Sequence, residues 1–132
     1  MVSPEIQPPF RVLCVDDEPI LLEDLASELR EEGCFVIETA DGRDALARAM
    51  AEPFDAIVCD MNLPGLAGLD LLVGLRGREG HNRNTRFVLL TGANDPQLKA
   101  KCEQQGSAVY MVKPADYGKL IDALRPNTGS LA

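Results

Sequence analysis

Apolar and polar positions fall along this chain in blocks: five short apolar runs, each followed by a stretch with helical spacing. The runs are Arg11 to Val15, Cys34 to Glu38, Phe54 to Cys59, Arg86 to Leu90 and Ala108 to Val112. Each is short, bounded by turn residues and partly β-branched, which predicts buried strands. After the first run, Leu22, Leu25 and Leu29 recur at helical spacing between Pro19, suited to a first helical turn, and Gly33, suited to a stop. Asp41-Gly42 opens a second helix with Ala45, Leu46, Ala49 and Met50 on one face, and Pro53 ends it. A third carries Leu69, Leu72 and Leu75 behind the Pro64-Gly65 turn. Asp95-Pro96 starts a fourth, whose body from Gln97 to Gln105 is mostly polar, with only Leu98, Ala100 and Cys102 to bury. Tyr117, Leu120, Ile121 and Leu124 form the apolar stripe of a fifth.

Strands alternating with helices imply parallel strands joined by right-handed crossovers. The expected fold is α/β: a doubly wound five-stranded parallel sheet with helices on both faces. Pattern alone leaves the strand order open between the two common arrangements. The expected organisation is a leader at 1–10, one domain over 11–125 and a polar tail at 126–132. Gly77 to Thr85 reads as a polar, glycine-bearing loop.

Parallel strands put their carboxyl ends on one edge of the sheet, where ligands bind in open α/β folds. The first strand ends in Asp16 and Asp17, the third in Asp60, the fourth in Thr91 and the fifth in Lys113. Singly, each has a plainer role: helix capping for Asp16 and Asp17, a turn for Asp60 and Thr91, a solvated strand end for Lys113. Together they form a set. Three carboxylates brought close raise one another's pKa, and a divalent cation relieves the repulsion. Oxygen ligands without His or Cys suit Mg2+, with Mn2+ as a second choice. Lys113 and Thr91 then offer a charge and a hydroxyl to a phosphoryl group, and central Asp60 is the candidate nucleophile for an acyl phosphate.

Composition narrows the classes further. Over 132 residues the net charge is −8, with 45% hydrophobic and 26% charged residues, so a basic footprint for direct nucleic-acid binding is missing. No stretch approaches the roughly 20 apolar residues of a membrane span, and Met1 to Pro9 lacks the pattern of a signal peptide. The expected location is cytoplasmic. Cys14, Cys34, Cys59 and Cys102 are widely spaced, and His81 is the one histidine, so no zinc set assembles. Buried, reduced thiols are expected, three of them inside strands.

Four segments carry a family resemblance: Val15-Asp16-Asp17-Glu18; Cys59-Asp60-Met61-Asn62-Leu63-Pro64-Gly65 with Gly68; Leu89-Leu90-Thr91-Gly92; and Tyr110-Met111-Val112-Lys113-Pro114. From about Arg11 to Arg125 the chain resembles the receiver domain of two-component response regulators. The resemblance implies the flavodoxin-like order 2-1-3-4-5 and makes Asp60 the acceptor of a phosphoryl group from a kinase's phosphohistidine. It implies Mg2+ held by Asp17, Asp60 and the Asn62 backbone carbonyl, with Asp16 placing a water or second ligand. It also implies Lys113 paired with the phosphoryl group through a strand end closed by a cis Lys113–Pro114 bond, and a switch pair, Thr91 and Tyr110. On phosphorylation Thr91 moves to the phosphoryl oxygen, Tyr110 turns inward, and the surface of the fourth helix, fifth strand and fifth helix changes. Ala67 and Ala93 depart from the family's usual polar residues, and Gly92 leaves the pocket open.

The implied partners are a histidine kinase or histidine phosphotransfer protein upstream and an unnamed protein downstream, with no direct nucleic-acid or membrane contact. Lys99, Lys101, Asp116, Lys119 and Asp122 read first as solvated faces, and second as a symmetric contact for a phosphorylation-dependent homodimer. No output domain is expected, so the chain is either a stand-alone receiver or a domain of a longer protein such as a hybrid kinase. It is a signalling module whose chemistry is self-directed phosphoryl transfer and slow autodephosphorylation. One rival is a haloacid-dehalogenase-like phosphatase, whose nucleophilic Asp belongs to the first strand in an Asp-x-Asp pair within a larger, capped chain. A flavin-binding flavodoxin needs a phosphate-cradling loop where this chain has Asp16-Asp17-Glu18. A degenerate receiver, acting only as a binding module, has no need of the charge cluster.

Overall fold

The first apolar run becomes strand β1 (Arg11–Val15), which leads into helix α1 (Pro19–Glu31), and the alternation continues to the end. It runs through β2 (Phe35–Thr39), α2 (Gly42–Ala51), β3 (Ala56–Asp60), α3 (Gly68–Arg76), β4 (Arg86–Thr91), α4 (Pro96–Gln104), β5 (Ala108–Val112) and α5 (Tyr117–Leu124). The structure, a computed structural model, describes residues 10–113 and 116–124. All paired strands are parallel, in the order β2-β1-β3-β4-β5. Among the described residues no helix is long and apolar enough to cross a membrane.

The two-residue period of each strand sorts its side chains between two cores. Val12, Cys14, Ala56, Val58, Val88 and Leu90 face α1 and α5, whereas Leu13, Val15, Ile57, Cys59, Phe87 and Leu89 face α2, α3 and α4. Strand β3 is buried at every position, as its central place requires.

Helix α1 stops as expected at Gly33, whose φ of +93° suits glycine. Gly33 N–H donates to the Arg30 carbonyl (3.0 Å) and Cys34 N–H to the Leu29 carbonyl (3.1 Å), so two end carbonyls are satisfied. Asp41 caps α2, its carboxylate accepting from the N–H groups of Arg43 (2.7 Å) and Asp44 (3.1 Å). Asp95 caps α4 in the same way.

Several details differ from expectation. Strands β3 and β4 each run one residue further, to Asp60 and Thr91, because these residues pair with Leu90 and Val112 in the neighbouring strands. Strand β2 begins at Phe35, so Cys34 lies just outside it and only Cys14 and Cys59 are strand cysteines. All four cysteine side chains are buried. On α3, Leu71 is fully buried and Leu69 only half-buried, because the helix packs against α2 as well as the sheet. On α4, Ala100 is exposed, leaving Cys102 as its one buried side chain. Phe10, assigned to the leader, packs against the α1/α5 core, and its carbonyl accepts from Phe35 N–H at 2.9 Å. The rest of the leader, the tail and the Lys113–Pro114 bond lie outside the described residues.

Candidate functional site

At the end of β1 the chain leaves the core through Asp16, which is 3% exposed. Two backbone contacts fix it: its N–H donates to the Thr39 carbonyl (3.1 Å), and its Oδ1 accepts from Glu18 N–H (2.9 Å). Asp16 thus closes a turn ahead of α1 without reaching the first-turn N–H groups of the helix, and Glu18, the residue at the cap position, offers α1 no side-chain cap. Asp17 is exposed beside it.

Asp60, 6% exposed, closes β3 between β1 and β4. The Lys113 ammonium lies 2.7 Å from Asp60 Oδ1 and 3.2 Å from Asp16 Oδ2, joining residues 97 positions apart. The carboxylate oxygens of Asp16, Asp17 and Asp60 lie within 4.8 Å of one another. The cluster foreseen from strand ends thus assembles, and Lys113 closes it.

Burial pushes the Asp60 carboxyl above its ordinary value; Lys113 pulls it down, while Asp16 and Asp17 push it up again. Burial alone would lower the Lys113 ammonium, but the bond to Asp60 and the negative charges of Asp16 and Asp60 outweigh it and raise its pKa. One lysine thus faces three carboxylates. Among the described residues no Lys or Arg pairs with Asp17. A hard divalent cation fits this donor set, since it supplies the missing positive charge to oxygen ligands.

Thr91 ends β4 at 3% exposure, and its hydroxyl accepts from Ala93 N–H at 3.2 Å. Tyr110, in the middle of β5, is 8% exposed. Its hydroxyl donates to the Ala93 carbonyl and accepts from Asp95 N–H (3.1 Å), so the ring lies inward and fastens the segment leading into α4. Thr91 and Tyr110 thus meet through Ala93. Asn62 is exposed in the loop between β3 and α3, two residues past Asp60. A cleft of about 470 Å³ opens beside Lys113 and Asp16 and runs between Leu21 and Leu25 of α1 and Tyr117 and Leu120 of α5. Ile20, 76% exposed, stands near its α1 side.

Three structural supports escaped the sequence reading. Thr39, whose carbonyl holds Asp16, is buried, and its hydroxyl donates to Asp44 at 2.6 Å. Gly42 touches the β3–α3 loop across 22 residues and more of sequence. Asn82, inside the supposedly plain loop, is 1% exposed and bonded on all sides. The contacts that matter most here, Thr39 with Asp16, Gly42 with Pro64 and Asn82 with Phe54, Ala49 and Glu52, all join residues more than 20 positions apart and involve backbone atoms, so none shows as a local pattern.

Comparison with known proteins agrees with this geometry. A family model described as response regulator receiver domain matches residues 12–125. TcrX, a probable transcriptional regulatory protein of Mycobacterium tuberculosis, is 34% identical over 117 residues, covering 89% of this chain and 49% of TcrX. The chain spans about half the length of the mycobacterial relatives it matches. The chemotaxis response regulator CheY4 of Vibrio cholerae has a TM-score of 0.78 at 29% identity, covering 88% of this chain and 96% of that one. The receiver domain of the sensor histidine kinase PA1611 of Pseudomonas aeruginosa, solved with magnesium in its active-site cleft, has a TM-score of 0.77 at 29% identity, covering 88% and 94%. With the fold, the strand order and the family match in agreement, the chain belongs to the response regulator receiver domains.

Proposed function

We propose that this chain is a phosphorylation-dependent signalling switch in which Asp60 accepts a phosphoryl group from the phosphohistidine of a kinase or phosphotransfer protein. The observation that carries the reading is the Lys113 ammonium bridging Asp60 and Asp16 (2.7 and 3.2 Å) beside an otherwise unneutralised Asp17. Asp60 sits at the end of the central strand, where a donor can approach the sheet edge. An Asp60 oxygen attacks phosphorus as the phosphorus–nitrogen bond breaks, and the imidazole nitrogen keeps that electron pair and is protonated. Lys113 stays within reach of the transferred oxygens, and Thr91 offers them its hydroxyl. Asp16, Asp17, Asp60 and the Asn62 carbonyl would hold Mg2+ or Mn2+, which supplies charge neutralisation between the carboxylates and the phosphoryl oxygens. Hydrolysis of the acyl phosphate by water then resets the switch, with Ala93 offering that water no side-chain partner.

The cleft between α1 and α5, with Ile20 and Leu21 exposed beside it, suits the apolar side of the donor protein. The exposed face of α4, β5 and α5, including Lys99, Lys101, Val112 and Lys119, is the surface offered to a downstream partner or a second copy. Tyr110 ties this surface to the site through Ala93 and Asp95.

Intact mass after incubation with a small acyl-phosphate donor and Mg2+ tests the reading. The expected result is one added phosphate that requires Mg2+ and is lost in Asp60→Asn. An adduct that survives Asp60→Asn overturns the assignment, and absence of both adduct and Mg2+ binding leaves a protein-binding module.

A further inference from the structure

We propose that the first turn of α2, Asp41-Gly42-Arg43, positions the β3–α3 loop for metal binding; this rests on the metal reading of the site. The loop, residues 61–67, carries Asn62 and has no regular structure of its own. At its far end, Gly68 N–H donates to the Met61 carbonyl at 2.9 Å, and a Cβ on Gly68 would lie 2.4 Å from the Asp60 carbonyl oxygen. Along its length, the loop rests on α2. Gly42 N–H donates to the Pro64 carbonyl (3.1 Å), and Arg43 Nε donates to the Gly65 carbonyl (3.2 Å).

The third contact is steric. A Cβ on Gly42 would lie 2.0 Å from the Leu66 carbonyl oxygen and 2.8 Å from its carbon, both backbone atoms that cannot rotate aside. Gly65 has φ +82°, and a Cβ there would lie 3.0 Å from Asp41 Oδ1. Pro64 and Leu66 thus both meet Gly42, and Gly65 meets Asp41 and Arg43.

That turn is itself held fast. Ala45 and Ala49 are fully buried, Asp41 caps the helix, and Asp44 accepts the Thr39 hydroxyl at 2.6 Å. Thr39 in turn holds Asp16 through its carbonyl. The corner between β2 and α2 therefore braces both arms of the carboxylate site, Asp16 on one side and the Asn62 loop on the other. Gly42 and Arg43 are positioning residues: neither touches the ligand set, and both fix where the loop backbone stands.

Calorimetric titration of the protein with Mg2+ alone, with no phosphoryl donor, tests this. Gly42→Ala should weaken Mg2+ binding about tenfold, the size seen when supports behind metal ligands are removed. Arg43→Ala deletes one neutral-acceptor bond and adds no atoms, so it should weaken binding about threefold. Ile121→Ala, on the opposite face of the sheet, lowers stability and should leave Mg2+ affinity unchanged, which separates positioning from general loosening. Unchanged affinity in the two α2 variants overturns the inference, and Arg43→Ala decides alone if Gly42→Ala does not fold. Failure of the unaltered protein to bind Mg2+ overturns the metal reading and this inference with it.

Discussion

Around Asp60 the chain is packed backbone against backbone, whereas around Thr91 and Tyr110 it is fastened by a few side-chain hydrogen bonds. The β3–α3 loop meets α2 and α3 through close glycine contacts and main-chain bonds. The segment from Gly92 to Asp95 is exposed throughout and is held by the Thr91 and Tyr110 hydroxyls. The helices that follow differ in the same sense. Leu71, Leu72 and Leu75 of α3 are buried, and α4 buries Cys102 alone.

Helix α4 packs on β5 through Cys102 and half-buried Leu98 and is also fastened at both ends. Tyr110 fastens the start, and at the other end the half-buried Arg76 guanidinium donates to the carbonyls of Gln105 (3.2 Å), Gly106 (3.0 Å) and Ser107 (3.3 Å). Burial lowers the Arg76 pKa, and its guanidinium N–H groups satisfy carbonyls at and just past the C-terminal end of α4. One sheet face thus carries a tightly packed loop and a more lightly buried helix, by changing how many side chains each helix buries.

The sharpest break of this contrast is a pair of truncations on that face. Leu72→Ala should cost about 3 kcal/mol, whereas half-buried Leu98→Ala should cost under about 1 kcal/mol. Urea unfolding measures both, and equal losses would erase the distinction between α3 and α4. Next in size is Asn82→Ala. Asn82 accepts from Phe54 N–H (2.9 Å) and Thr85 Oγ1 (2.8 Å), and donates to the carbonyls of Ala49 and Glu52. Its removal strands buried groups beneath the rigid half, for a loss of about 2 kcal/mol in the same assay.

Tyr110→Phe should be milder, about 1 kcal/mol, since one hydroxyl is deleted. Amide exchange should quicken from Ala93 to Leu98 and stay unchanged in α3; quickening in both would show that the two regions are not separate. The smallest effect belongs to Asp44, whose pKa the Thr39 hydroxyl and then Arg48 lower below its ordinary 3.8. A lowered acid stabilises the fold above its unfolded value and loses that contribution as pH falls through the folded one. The melting-temperature gap between the protein and Asp44→Asn should therefore be open near pH 7 and narrow as pH falls below 3.8. A gap that does not narrow would remove Asp44 from the brace between β2 and α2.

The site was more legible than its supports. Asp16, Asp60, Thr91 and Lys113 stand where apolar runs stop, so strand ends and residue type were enough to nominate them. Gly42 and Asn82 gave no such sign, because a glycine needed for close approach looks like any turn glycine, and a buried loop asparagine looks like a solvated one. Ala100 failed in the other direction: a polar helix offers few apolar residues, and counting each as buried assumes a face that α4 does not have.

By itself the sequence determined the five strand–helix units, the parallel sheet and the class of residue that would stand at its edge. Hydrophobic periodicity records which side of an element is covered and where the covering ends. It does not record what does the covering. Only the tertiary structure decided that Lys113 bridges Asp60 and Asp16, that Tyr110 reaches the Ala93 carbonyl, and that the first turn of α2 meets the β3–α3 loop. Those contacts join backbone and side-chain atoms across tens of residues, and distances between them exist only once the strands are ordered side by side.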